Sequence, residues 1–199
     1  MTGGGGTASG REESDSGEET TVLVVDDESV VRESFSLYLE SHGYAVRTAA
    51  DGAETLSVVD DDVDIVLLDR RMPDRSGDEV LEEIRARNVD CRVALVTAVD
   101  PDFDIVAIDC DDYLVKPVDR EDLVETVERL ALLEEYDEAQ RELSSLRVKR
   151  NVLKVEKHPE ALDDSDEFQR LQAQIDELEA DLDELAAEFD AQLGYEDPA

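Results

Sequence analysis

Four short runs of this chain carry side chains that could do chemistry together. VLVVDDE holds Asp26 and Asp27, IVLLDRRMPD holds Asp69, ALVTA holds Thr97, and DYLVKPV holds Lys116. Three carboxylates, a hydroxyl and an amine gathered at one spot make a site that takes a divalent cation and accepts phosphate. Crowded carboxylates repel, which raises their proton affinity until a cation neutralises them. Mg²⁺ suits such hard oxygen donors and bridges to phosphate oxygens. An ionised aspartate is a nucleophile for phosphorus. The ammonium and the hydroxyl then stabilise charge on the equatorial oxygens of the transferring group.

The elements that must position these residues read from apolar patterning. Each motif follows or closes a β-branched run, at 22–25, 63–68, 93–96 and 114–115, of the kind that forms buried parallel strands. Between them lie stretches with helical spacing, Val30, Val31, Phe35, Leu37 and Tyr38 after the first run and Val80, Leu81 and Ile84 after Asp69. Alternating strand and helix predicts a doubly wound α/β sheet, in which ligands bind beyond the carboxyl ends of the strands. The acidic residues fall there.

On these motifs, residues from about 21 to 133 resemble the receiver domain of a two-component response regulator. The resemblance implies a five-stranded, flavodoxin-like parallel sheet. It also implies that Asp69 accepts a phosphoryl group from phosphohistidine on a sensor histidine kinase. Asp27 is then a direct Mg²⁺ ligand, Asp26 acts on the ion mainly through water, and the backbone carbonyl of Arg71 completes the protein's ligands. Thr97 and Lys116 form the phosphoryl-binding pair, Tyr113 is the switch aromatic, and the Lys116–Pro117 bond is cis. The implied catalysis is self-phosphorylation with slow self-hydrolysis, not turnover of a substrate. Haloacid-dehalogenase-type phosphatases also use an aspartate nucleophile, but they carry a second aspartate two residues on. Here Arg71 stands two beyond Asp69 and Glu28 two beyond Asp26.

Taken singly, each residue has an ordinary reading. Asp26 and Asp27 would be turn or cap residues, as Asp111 and Asp112 are expected to be; Thr97 would be a strand residue and Tyr113 a core aromatic. Their joint occurrence in order carries the assignment. Only 19 positions separate Thr97 from Lys116, and the segment between holds Pro101 and several aspartates, so the fourth receiver helix is expected to be short or irregular. Asp119 can cap a clear final helix, with Asp122 three residues on and Leu123, Val127 and Leu130 along one face.

The C-terminal third is helical. Phe168, Leu171, Ile175, Leu178, Leu182, Leu185 and Phe189 follow an unbroken 3,4 spacing, a coiled-coil-type seam, with Asp164 and Glu167 as its expected capping box. A less regular stripe, Leu133, Tyr136, Leu143, Leu146 and Leu153, runs on from the receiver's last helix. The short break around Pro159 suits an antiparallel hairpin. This tail resembles the HalX domain found behind receivers in salt-loving archaea. Residues 141–158 hold six bases against two acids, and 165–190 ten acids against Arg170, so charge favours an intrachain hairpin over an acidic zipper. A homodimer of hairpins stays open. The domains expected are therefore a disordered leader (1–20), a receiver (21–133), a helical output domain (134–190) and a tail (191–199).

The output has two readings. In the favoured one the hairpin is an interaction module for a downstream protein. In the alternative, the basic segment 141–158 binds DNA and controls transcription. DNA binding loses affinity with a salt slope of about −0.9 per phosphate contacted, and no helix-turn-helix or basic-zipper pattern is evident, so DNA is not favoured.

Composition frames the whole. With 55 acidic against 19 basic residues the net charge is −36, a self-repelling surface in dilute buffer. At 1 M salt the Debye length is about 3 Å and the repulsion is screened. The chain reads as a salt-adapted cytoplasmic protein without a signal peptide or membrane span. Cys91 and Cys110 read as buried thiols, not a disulfide. Circular dichroism should show helical signal and thermal stability rising with salt. Equal stability at low and molar salt would contradict salt adaptation.

Overall fold

The computed structural model describes residues 19–98 and 103–192. Most of the expected leader and tail, and Pro101, lie outside these residues. Five strands, β1 (Thr21–Val25), β2 (Ala45–Ala49), β3 (Ile65–Asp69), β4 (Arg92–Thr97) and β5 (Asp112–Val115), form one parallel sheet in the order β2-β1-β3-β4-β5. The order reverses between β1 and β3, which opens the crevice where doubly wound sheets bind ligands. Asp26 follows β1 and Asp69 ends β3, so both carboxylates stand at this crevice.

Strand periodicity sorts the core into two layers. Leu23, Val25, Val66, Leu68 and Leu95 face α2 (Gly52–Val58) and α3 (Gly77–Ala86), which contribute Leu56, Val80, Leu81 and Ile84. Val22, Val24, Ile65, Leu67 and Val96 face Leu39 of α1 (Ser29–Glu40) and Leu123, Val127 and Leu130 of α4 (Arg120–Glu156). Helix α1 turns to the sheet only part of the apolar set expected of it. Phe35, Tyr38 and Leu39 meet the sheet, whereas Val30 and Leu37 are exposed. At about 100° per residue Val30 and Leu37 lie about 200° round the helix from Phe35.

Among the described residues the fourth receiver helix is one 3-10 turn, Phe103–Ala107, in line with the short spacing. Asp119 caps α4 by accepting the N–H groups of Glu121 and Asp122. The helix then runs 37 residues without a break, the first part against the sheet and the last against α6 (Asp166–Gln192). Leu143 and Leu146 meet Ile175 and Leu182, flanked by Leu171 and Leu178, so the expected hairpin forms within the chain. Two details differ. The break contains a short helix, α5 (Pro159–Asp163), with Leu162 buried. The cap of α6 is Ser165, whose Oγ accepts Phe168 N–H and donates to Glu167, so Asp164 is not its cap.

Charge contributes less to the hairpin than expected. Arg147–Glu179 is the one ion pair between α4 and α6 among the described residues, and the apolar seam does the rest. Ion pairs instead seat α4 on the receiver. Arg92 of β4 meets Asp111 at 3.1 Å, Glu134 at 2.7 Å and also Asp137. Arg141 reaches Asp90, and Arg129 holds Asp112.

Candidate functional site

β1 and β3 deliver their acids side by side because their register pairs Val25 with Leu68. Asp26, Asp27 and Asp69 each turn a carboxylate oxygen to a point where all three lie within 4.8 Å of one another. Asp26 and Asp69 are 2 % and 5 % exposed, and Asp27 is exposed. Lys116 closes the cluster from the end of β5, its Nζ donating to Asp26 Oδ2 at 2.6 Å and to Asp69 Oδ2 at 3.1 Å. Its bond to Pro117 is cis. Backbone groups supply further contacts: Glu28 N–H donates to Asp26 Oδ1, Arg71 N–H to Asp69 Oδ1, and Arg32 to the Asp26 carbonyl.

Burial pushes the Asp69 carboxyl above its ordinary value and the neighbouring Asp26 charge adds to this, against the pull of Arg71 N–H and Lys116. Burial draws the Lys116 ammonium down, but its hydrogen bonds to Asp26 and Asp69 outweigh it and the net shift is upward. The cluster is thus an all-oxygen donor set with excess negative charge, which fits a small divalent cation such as Mg²⁺.

Thr97 is fully buried at the end of β4, one position past the Val96 that pairs with Asp69. Its carbonyl accepts Lys116 N–H at 2.7 Å, tying the two strand ends that carry the expected phosphoryl-binding pair. Arg71 sits on the loop after Asp69, its N–H already engaged there. Tyr113 is half-buried, with its hydroxyl 3.5 Å from Arg70.

Arg70 is the residue the sequence reading missed. Its guanidinium grips Asp78 of α3 at 3.0–3.2 Å while reaching Tyr113, linking the residue next to Asp69 with β5. Asp78 in the first turn of α3 was the available signal. Gly77 permits this approach: a Cβ there would lie 2.5 Å from the Asp69 carbonyl and 2.8 Å from Arg70 Cα. Asp111 and Asp112 are structural, binding Arg85, Arg92 and Arg129. Cys91 and Cys110 are free thiols, with Cys91 buried and pushed up to about 11.

The family model of the response regulator receiver domain matches residues 22–128, and that of the HalX domain matches 132–197. The chain belongs to the response regulator receiver family. The chain is 48 % identical over 120 residues to a Haloferax volcanii protein named "Putative transcriptional regulator", covering 60 % of this chain and 21 % of that one. The chain thus spans about a fifth of that relative's length. The response regulator protein TrrA of Thermotoga maritima, solved in complex with Mg²⁺–BeF, is 37 % identical with a TM-score of 0.50, over 56 % of this chain and 98 % of that one. A Methanospirillum hungatei receiver domain protein is 30 % identical with a TM-score of 0.55, over 60 % of this chain and 98 % of that one. Among the described residues no helix is long and apolar enough to cross a membrane.

The raised Asp69 value fixes a sign. An ionised Asp69 disfavours the fold at neutral pH, and the penalty disappears once pH falls below the ordinary carboxylate value, where both states are protonated. In metal-free buffer Asp69→Asn should therefore melt higher than the parent at neutral pH, with the gap closing as pH falls. Thermal melts across a pH series check this; a variant that melts lower at neutral pH contradicts it.

Proposed function

We propose that the chain is the phosphoacceptor of a cytoplasmic two-component relay, taking a phosphoryl group from a sensor histidine kinase on Asp69. The supporting observation is the Lys116 ammonium shared between Asp26 and Asp69, with Asp27 turned to the same point. Asp69 attacks phosphorus as the carboxylate, the phosphorus–nitrogen bond of the donor breaks, and the histidine nitrogen leaves with a proton. Lys116 and the Thr97 hydroxyl meet the charge on the phosphoryl oxygens. Asp26, Asp27, Asp69 and the Arg71 carbonyl would hold Mg²⁺, which neutralises the carboxylates and the incoming phosphate. The site modifies itself and slowly hydrolyses the product, so it is not a turnover enzyme.

The receiver, to about residue 133, then signals through the hairpin of 134–190 acting as an interaction module for a downstream protein. Phosphorylation biases a two-state equilibrium, in which Thr97 is drawn inward and Tyr113 follows. Asp112, adjacent to Tyr113, holds Arg129 of α4, giving the change a route into the helix that also forms the hairpin. DNA binding is a second reading, favoured by one observation: Lys149, Arg150, Lys154 and Lys157 form no ion pair among the described residues, whereas Arg147 does. Its salt dependence places it second.

A small phosphodonor with Mg²⁺ should label the protein with an acid-stable, base-labile acyl phosphate. Asp69→Asn should abolish the label, and Asp27→Asn should raise the Mg²⁺ concentration required. Undiminished labelling of Asp69→Asn would overturn the assignment.

A further inference from the structure

One side of α4 is apolar and uncovered by any described residue: Val148, Val152 and Val155 are 63 %, 56 % and 82 % exposed. At about 100° per residue they lie about 180–240° round the helix from Leu146. That is opposite the seam by which Leu143 and Leu146 meet α6. Glu134, Asp137 and Arg141, on the valine side further up the helix, are occupied with Arg92 and Asp90 of the receiver. The stripe begins about 10 Å beyond Arg141, at 1.5 Å per residue. Its 4,3 spacing of β-branched residues is that of a coiled-coil seam.

Charge selects the occupant. Arg147, Arg150, Lys154 and Lys157 project within about 100° of Leu146, toward the α6 side, and so do not border the valines. The residues that border them are Lys149 and Glu156 along one edge and Ser144 and Asn151 along the other. The face is neutral, with one cation and one anion seven positions apart. An acidic partner would meet Glu156, and a nucleic acid would meet three valines where phosphate needs cations. A two-fold axis near Val152 satisfies both edges, because an antiparallel copy brings Lys149 opposite Glu156 and Glu156 opposite Lys149.

We propose that this face binds a second copy of the chain, with the two α4 helices antiparallel through Val148, Val152 and Val155. This deepens, and rests on, the reading of the hairpin as an interaction module. The two receivers sit toward opposite ends of the paired helices. The net charge of −36 opposes the approach of two copies, so association strengthens as salt screens it.

Sedimentation equilibrium of the full chain in molar salt tests this. The mass should climb from one chain toward two with concentration, and the dimer should weaken as salt is lowered. Val152→Glu should weaken association more than about tenfold, since each copy then buries a carboxylate against the other. Lys149→Glu and Glu156→Lys should each weaken it, and the two together should restore it. These positions are exposed, so circular dichroism should match the parent. Acyl-phosphate labelling of Asp69 should also persist in Val152→Glu, which separates failure here from failure of the phosphoacceptor reading. A chain monomeric at every concentration and salt, a dimer that survives Val152→Glu, or a double swap no better than the single swaps would overturn the proposal.

Discussion

Two carboxylates buried side by side, sharing one ammonium, set the terms for this site. Asp26 and Asp69 both stand at the crevice between β1 and β3, almost shielded from water, where their mutual repulsion is poorly screened. Lys116 has to reach them from β5, across the end of β4, and the Thr97 carbonyl holds its backbone N–H while it does so. The strand order and the glycine at the start of α3 belong to one arrangement that brings these groups together. The arrangement leaves the cluster negative, with an exposed Asp27, which is the state a divalent cation and a phosphoryl group would complete.

The same lysine ties the end of β5 to the carboxylate of Asp69. Four residues earlier on that strand Asp112 holds Arg129, and Tyr113 lies beside Arg70. A change in what Lys116 binds therefore acts on a strand fastened to α4. The helix has no break between its receiver part and its hairpin part. At the junction Arg92 of β4 holds its Glu134 and Asp137, and its own Arg141 reaches back to Asp90. Displacement of its first turns is thus expected to be carried onward as a rigid-body change in how the hairpin is presented. The described part of the segment before β5 contains a 3-10 turn, Phe103–Ala107.

Much of this was legible because strand ends announce themselves. β1, β3 and β4 are apolar runs rich in β-branched residues, and each stops on a polar residue whose meaning comes from the others that stop beside it. β2 was not placed, because AVRTA is a short edge strand with a polar centre and no such run. The α1 stripe was misread by counting Val30 and Leu37 with the face that holds Phe35. Only the helical angle separates them. Arg70 was not singled out, since its partners Asp78 and Tyr113 come near only after folding. The hairpin was predicted with the right partners for an incomplete reason. Opposite net charge pointed to the pairing, but one ion pair, Arg147–Glu179, joins the two helices among the described residues, and the leucine and isoleucine seam holds them. Net charge over a segment cannot say which way its long side chains turn.

For the hairpin to report on the site, charge at Asp69 has to be felt along α4. Hydrogen exchange of the full chain, compared with and without Mg²⁺ and beryllofluoride as a phosphoryl mimic, measures this at each backbone amide. Coupling through β5 predicts altered protection around Thr97 and Tyr113 and continuously along residues 123–146. Changes confined to the loops around Asp69 and Thr97 would contradict it and make the hairpin a constitutive docking element.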